Sequence, residues 1–368
     1  MSLAPLNEIP ASIVAADDYI PYAKERISPE VWAYFSGGVA DEKLLARNQT
    51  AWQQYQVLPS MLKDFEEAHT HYTLLGQRHD FPILLAPVAY QKMLHPDGEF
   101  ISALAAAAMQ TPYIISMQSS TSLTLLCEQI PGTKWLQWYW QPDQIASQKL
   151  LAEAAKLGVE AIVLTIDAPV NGVRNREQRV GFSVPSGVEA VLLKNFKSAP
   201  LTVGSAGESP LFGSGFLTNA PTWDLVEQFI QHSPLPVILK GILNPSDALK
   251  AVQIGAAGIV VSNHGGRTLD TLPATASILG RICDSIDGHI PILVDGGIRR
   301  GSDIFTALAL GASAVLIGRP YIWAMAAAGA SGVAHVLHIL RTELEVTMAL
   351  TGCRTLDEIR QVELIKAQ

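Results

Sequence analysis

The chain has 368 residues, 48% hydrophobic and 16% charged, which excludes a disordered linker and a disulfide-stapled mini-protein. Lys plus Arg number 26 against 34 Asp plus Glu, a formal net charge of −8 without any basic run, so nucleic acid is not an expected partner. Cys127, Cys283 and Cys353 are far apart and form no CxxC pair, which points away from a disulfide framework and towards a reducing cytoplasm.

In chain order, Met1 to Pro10 carries Glu8 but no Lys or Arg, unlike a secretory signal. Residues 11–57 read as short helices within an N-terminal helical segment, 1–60. The charge-free run from Phe100 to Cys127 is broken by Gln110, Thr111, Pro112 and the polar cluster Ser119–Thr124, so no membrane span is expected there. Eight short runs have β character: Pro82–Pro87, Tyr113–Ser116, Trp135–Tyr139, Ala161–Asp167, Pro236–Lys240, Gly258–Ser262, Pro291–Asp295 and Ala314–Gly318. Most are continuously apolar, as strands buried on both faces of a parallel sheet must be.

Helix signals lie between them. Ile145–Leu157 closes at Gly158, Asn244-Pro245-Ser246-Asp247 opens a helix that closes near Gly255, and the run after Ser302 closes at Gly311. Eight strands alternating with helices predict an α/β fold, a (β/α)8 TIM barrel over 82–330. An open doubly wound sheet is the alternative; the count of eight and the lack of G-x-G-x-x-G after the first strand count against it. Almost 70 residues separate Asp167 from Pro236, and the Gly/Ser/Pro-rich stretch 184–221 reads as a mobile lid loop rather than a second domain. Val333–Leu350 reads as a helix in a C-terminal helical segment, 331–368. The whole chain is expected to be one domain.

Chemistry in such barrels sits on the loops after the strands. Gln137 and Tyr139 share a face at the end of the third strand, as do Thr165 and Asp167 at the end of the fourth, with Arg174 following. Lys240 ends the fifth strand, and the sixth runs into Ser262-Asn-His264-Gly-Gly-Arg267. Each alone would pass for a turn residue; together on one rim they suggest a shared site. After strands seven and eight come Asp295-Gly-Gly-Ile-Arg299 and Gly318-Arg319-Pro320. Asp-Gly-Gly also suits an ordinary tight turn, but two Gly/Arg loops in these positions suit a phosphate-bearing ligand. His264 is the candidate general base. His335 and His338 are three apart on a helix with nothing to complete a ligand set, so no metal site is expected.

These motifs resemble the FMN-dependent α-hydroxy-acid oxidase and dehydrogenase family, which includes glycolate, lactate and mandelate oxidising enzymes. The resemblance runs from about Tyr34 to Glu358. Its most specific piece is Ser262-Asn-His-Gly-Gly-Arg-Thr-Leu-Asp270, supported by Ala86-Pro-Val-Ala89, His95-Pro-Asp-Gly-Glu99, Leu164-Thr-Ile-Asp-Ala-Pro169 and Val294-Asp-Gly-Gly-Ile-Arg-Arg-Gly301. It implies FMN as cofactor and a small L-2-hydroxy acid as substrate. It further implies O2 as electron acceptor giving hydrogen peroxide, and a homo-oligomer, often a tetramer.

By the same resemblance, Ala86, Pro87, Val88, Ala89, Ser116, Gln137, Thr165 and Ser262 would line the flavin, and Lys240 would sit beside its N1 and C2 carbonyl. Asp295, Gly297, Arg299, Gly318 and Arg319 would form the phosphate site. Tyr34, Arg174 and Arg267 would hold the substrate carboxylate and Tyr139 its hydroxyl, with His264 and Asp167 as the acid–base pair. Three departures stand out: Pro59-Ser60 where relatives carry Pro-Arg, Val173-Arg174 where they carry two arginines, and Gln118 and Asn171 near the substrate tail. The last two either polarise the pocket or face its rim. Alternatives are a dehydrogenase using a quinone or another acceptor and, further off, a flavin-barrel isomerase; Ala89 and the lack of a haem domain favour an oxidase.

Overall fold

Residues 3–197, 207, 209, 211–212, 217 and 220–367 are described by the computed structural model. The eight apolar runs form parallel strands: β1 (Ile83–Leu85), β2 (Tyr113–Ile115), β3 (Lys134–Tyr139), β4 (Ala161–Thr165), β5 (Val237–Ile242), β6 (Gly258–Val261), β7 (Ile292–Val294) and β8 (Ala314–Ile317). They close into one barrel in sequence order, with β8 pairing β1 through Val315 and Ile83. The barrel expectation holds, and the open sheet is excluded by this closure.

Side chains alternate along each strand, which divides the apolar residues into two cores. Leu84, Ile114, Trp135, Val163, Ile238, Val260, Leu293 and Leu316 pack together inside the barrel. Ile83, Ile115, Leu136, Ile162, Leu239, Ile259, Ile292 and Val315 belong to the larger core shared with the helices. The floor of the barrel is stopped by a hairpin, Tyr72–Leu74 paired with Gln77–His79, whose Leu74 is 1% exposed and joins the interior cluster. That hairpin was not foreseen. Its strands are three residues long and carry no alternation a sequence pattern could register.

The helices start and stop where their caps dictate. Asn244 accepts from Ser246 N and Pro245 occupies the first turn, while Asp143 accepts from Ala146 N ahead of the helix Gln144–Lys156. The C-terminal helix is longer than expected, Arg319–Thr351, with non-helical backbone at Ala328 and Gly329. Its apolar length would suffice to cross a membrane, yet 72% of its most apolar stretch is buried inside the fold. It packs against the helices Tyr19–Arg26, Glu99–Ala108 and Gly301–Ala309. Much of the expected lid, 184–221, lies outside the described residues; within it Val191–Leu193 forms a 3-10 turn. Before it, Asn175–Arg179 forms a short helix that the sequence pattern did not reveal.

Candidate active site

The interior parity that fills the barrel also builds the site. One step further along each strand from the interior apolar residue stands a polar or small side chain on the same face: Ala86, Ser116, Gln137, Thr165, Lys240, Ser262 and Asp295. The structure brings these residues together at one end. Gln137 Oε1 accepts from Ser116 Oγ and from Met117 N, both at 3.2 Å, while its Nε2 donates to Thr165 Oγ1 at 3.1 Å. The backbone of Ala86 and Val88 is pinned from behind. Tyr321 OH donates to Ala86 O at 2.8 Å and Gln91 Nε2 to Val88 O at 3.1 Å. Gln91 and Tyr321 were missed in the sequence because they support the rim without sitting on it.

A second group forms a chain of polar contacts through Asp167, His264 and Tyr139. Asp167 Oδ1 lies 3.0 Å from His264 Nδ1, and His264 Nε2 lies 3.4 Å from Tyr139 OH. Burial pushes the Asp167 carboxyl up, but the His264 ring and the Lys240 ammonium outweigh it and leave its pKa below the ordinary value. Asp167 therefore stays anionic, with its Oδ1 against the His264 ring. Burial, reinforced by Asp167, pushes the Tyr139 phenol up to about 12, so it remains a hydrogen-bond donor at neutral pH. His264 itself has φ +57°, a left-handed conformation uncommon for a side-chain-bearing residue, and such positions cluster at functional sites. The bulge at Lys240–Ile242 matters here too. Gly241 has φ +111°, and a Cβ on it would stand 2.4 Å from Asp167 Cβ.

Lys240 is the buried cation of the set. Its Nζ donates to Ser262 Oγ at 2.7 Å and lies 3.1 Å from Asp295 Oδ2; Ser262 Oγ in turn accepts from His264 N at 3.1 Å. Burial pulls the Lys240 pKa down, but Asp295 and Asp167 outweigh it and hold it above the usual lysine value. Asp295 Oδ1 is buried without a hydrogen-bond partner among the described residues. The adjoining turn needs glycine: Gly297 has φ +83°, and a Cβ there would fall 2.0 Å from Asn48 O. Gly318 caps the helix that begins at Arg319, giving a helix N-terminus beside the same turn sequence. Arg319 donates to the carbonyls of Phe35, Gly265 and Gly37. Burial, with repulsion from Arg267 and Arg299, pushes its pKa down to about 9. Arg299 is engaged by Asp17 at 3.0 Å, by its neighbour's Ile298 carbonyl and by the Trp323 ring.

The third group gathers Tyr34, Arg174 and Arg267. The Arg267 guanidinium lies 5.0 Å from the Tyr34 ring centroid, and its Nη1 donates to the carbonyls of Tyr34 and Gly37. Arg174 Nε is buried without a hydrogen-bond partner among the described residues. Burial pushes the Tyr34 phenol up to about 12, against the pull of Arg267 and Arg174. Two residues the sequence did not single out complete this corner. Phe182 stacks on Tyr34 at 4.7 Å, and Glu177 lies within 4 Å of both guanidiniums. The i, i+3 spacing of Arg174 and Glu177 was the available signal. Val173 is exposed, so the single arginine of that pair is the one facing the site. Arg176 instead joins Glu42 and Ser36. Gln118 is half-buried and bonded through its N–H to Ser116 Oγ, whereas Asn171 is exposed at the mouth of a cleft it shares with Asp167 and Leu269.

Comparison with known proteins agrees with this geometry. Residues 23–366 match the family model described as FMN-dependent dehydrogenase. The chain is 42% identical over 359 residues to an L-lactate oxidase of Roseobacter sp. (strain GAI101), covering 98% of this chain and 96% of that one. It is 38% identical to the glycolate oxidase of Spinacia oleracea, covering 94% of each. A solved structure of mandelate oxidase with benzoyl-formic acid superposes with a TM-score of 0.88 at 39% identity, covering 96% of this chain and 99% of that one. Barrel, rim residues and sequence match converge: this chain belongs to the FMN-dependent α-hydroxy-acid oxidase and dehydrogenase family.

Proposed function

We propose that the protein uses FMN to oxidise a small L-2-hydroxy acid to the 2-oxo acid and passes the electrons to O2, forming hydrogen peroxide. The carrying observation is the chain Asp167–His264–Tyr139 beside the paired guanidiniums of Arg174 and Arg267. A carboxylate on the arginines brings the adjacent hydroxyl-bearing carbon towards the base, which is the geometry that converts binding energy into rate. His264 Nε2 accepts a proton from the substrate, and Asp167 stabilises the resulting imidazolium. Tyr139, protonated at neutral pH, donates to the substrate oxygen.

The rim suits FMN on its own chemistry. Among the described residues Asp295 Oδ1 is an orphaned buried acceptor, the turn at Gly297 admits no side chain, and Arg267 and Arg299 both repel Arg319 in a place an anion would neutralise. Ala86–Ala89, Ser116, Gln137, Thr165 and Ser262 would face the ring. Gly297, Arg299, Gly318 and Arg319 would form the phosphate end, with the Asp295 carboxylate accepting from a hydroxyl of the cofactor; this asks the two guanidiniums to turn from their present carbonyl and carboxylate partners. FMN supplies the two-electron acceptor; Lys240 supplies fixed positive charge where reduction places negative charge.

O2 as acceptor is supported by the oxidase names of the relatives. A cytoplasmic setting is supported by the three cysteines all being free thiols, and assembly as a homotetramer by the family resemblance. Turnover of glycolate, L-lactate and mandelate should be followed by 2-oxo acid and peroxide together. Equal yields, with the smaller acids preferred, are expected. Product formed only when a quinone is added would replace the oxidase reading with a dehydrogenase, and strong preference for mandelate would count against the polar pocket suggested by Gln118 and Asn171. In the same assay Arg267→Lys should raise KM about tenfold to a hundredfold, because an ammonium cannot reproduce a charged guanidinium fork. An unchanged KM would remove Arg267 from the carboxylate site.

A further inference from the structure

Glu177 places a carboxylate of the protein itself between the two arginines that the reaction reserves for a substrate carboxylate. Its Oε1 is 3.2 Å from Arg267 Nη2 and 3.7 Å from Arg174 Nη1, with the side chain only 13% exposed. The helix Asn175–Arg179 carries it, one turn beyond Arg174. A cavity of about 230 Å³ lined by Arg174, Glu177, Gln178 and Phe182 opens beside it. Arg267 Nη1 is already committed to two backbone carbonyls, and Arg174 Nε is buried without a hydrogen-bond partner among the described residues. Donors left for an arriving carboxylate thus lie next to one already in place.

We propose that Glu177 is an internal counter-charge that weakens the grip of Arg174 and Arg267 on carboxylate ligands and so sets how readily the 2-oxo acid leaves. The inference rests on the reading of those arginines as the carboxylate site. Two guanidiniums in a desolvated pocket repel each other, and a ligand that neutralises them gains from relieving that repulsion. Glu177 relieves part of it beforehand, so the ligand gains less. With the glutamate charge removed, the ligand becomes the sole counter-ion and is held longer. The effect is specific to charge, because a neutral ligand relieves nothing.

The test titrates the FMN-loaded protein with pyruvate and with its uncharged amide, pyruvamide, following the flavin absorbance. Glu177→Gln should bind pyruvate at least about tenfold more tightly than the parent, with pyruvamide unchanged, since only the charged ligand feels the missing carboxylate. Glu177→Asp, which keeps the charge, should stay within about threefold of the parent. In turnover, KM and kcat should fall together in Glu177→Gln as release slows. Weaker or unchanged pyruvate binding in Glu177→Gln, or an equal shift for pyruvamide, would overturn the counter-charge role. If Glu177→Gln does not retain FMN, Glu177→Ala makes the same comparison; failure of both to hold FMN would show a structural role and overturn the proposal. Absence of pyruvate binding in the parent would remove the carboxylate site itself, and the inference with it.

Discussion

Replacing His264 with alanine is expected to slow reduction of the bound flavin about 10²- to 10⁴-fold while leaving FMN in place. In the proposed reaction the ring is the base, with Asp167 Oδ1 on one nitrogen and Tyr139 OH near the other. The backbone beneath it is fixed separately, by the bond from His264 N to Ser262 Oγ and by the left-handed run through Gly265 and Gly266. Alanine therefore deletes the base without releasing the loop. Rapid mixing with substrate under anaerobic conditions, beside a measured flavin content, separates the two effects. Reduction at the parental rate would remove His264 from the mechanism. Because the Asp167 pKa is depressed on folding, its favourable interaction is present above the unfolded carboxylate value and is lost only as pH falls through the depressed one. The Asp167 carboxylate is thus ionised throughout the neutral range.

The second large effect concerns stability. Lys240→Met should destabilise the fold by about 3–5 kcal/mol, the usual consequence of removing one partner from a buried ion pair. Lys240 is 4% exposed and Asp295 8%, so the aspartate left behind cannot recover its hydration. Asp167 loses the same cation. Adding Asp295→Asn should restore part of the loss, since it removes the stranded charge. Denaturant unfolding of the single and double variants measures both. The sign with pH is opposite to that of Asp167: a raised lysine value contributes fully below the unfolded pKa and fades as pH rises through the folded one. The parent's contribution from this pair should therefore be flat at neutral pH and decline only in strong alkali. A double variant no more stable than Lys240→Met would argue that packing, not the unpaired charge, carries the cost.

The barrel could be read from the chain because its strands are buried on both faces. Runs such as Ala161–Asp167 and Pro291–Asp295 lack the polar alternation of a half-exposed sheet. The rim was legible for the same geometric reason: Gln137, Thr165 and Lys240 each follow an interior apolar residue by two positions. What escaped was held by distant pairings. The hairpin that carries Leu74 under the barrel, and the pairing of Tyr55–Val57 with Leu364–Lys366, depend on partners no local pattern names. Gln91 and Tyr321 support Val88 and Ala86 across long sequence separations, and Glu177 acquires meaning only when folding sets it against Arg267.

The net excess of acidic residues hides the charge that matters for ligands. Arg267, Arg299, Arg319 and Lys240 are drawn to one end of the barrel, where local rather than net charge decides what binds. The most direct test of the account is anaerobic mixing of the FMN-loaded protein with L-lactate and glycolate, followed by admission of O2. Bleaching of the visible flavin band by at least one of these acids is expected, then its return with one hydrogen peroxide per flavin. A flavin that stays oxidised with every 2-hydroxy acid offered, in protein that holds its FMN, would contradict it.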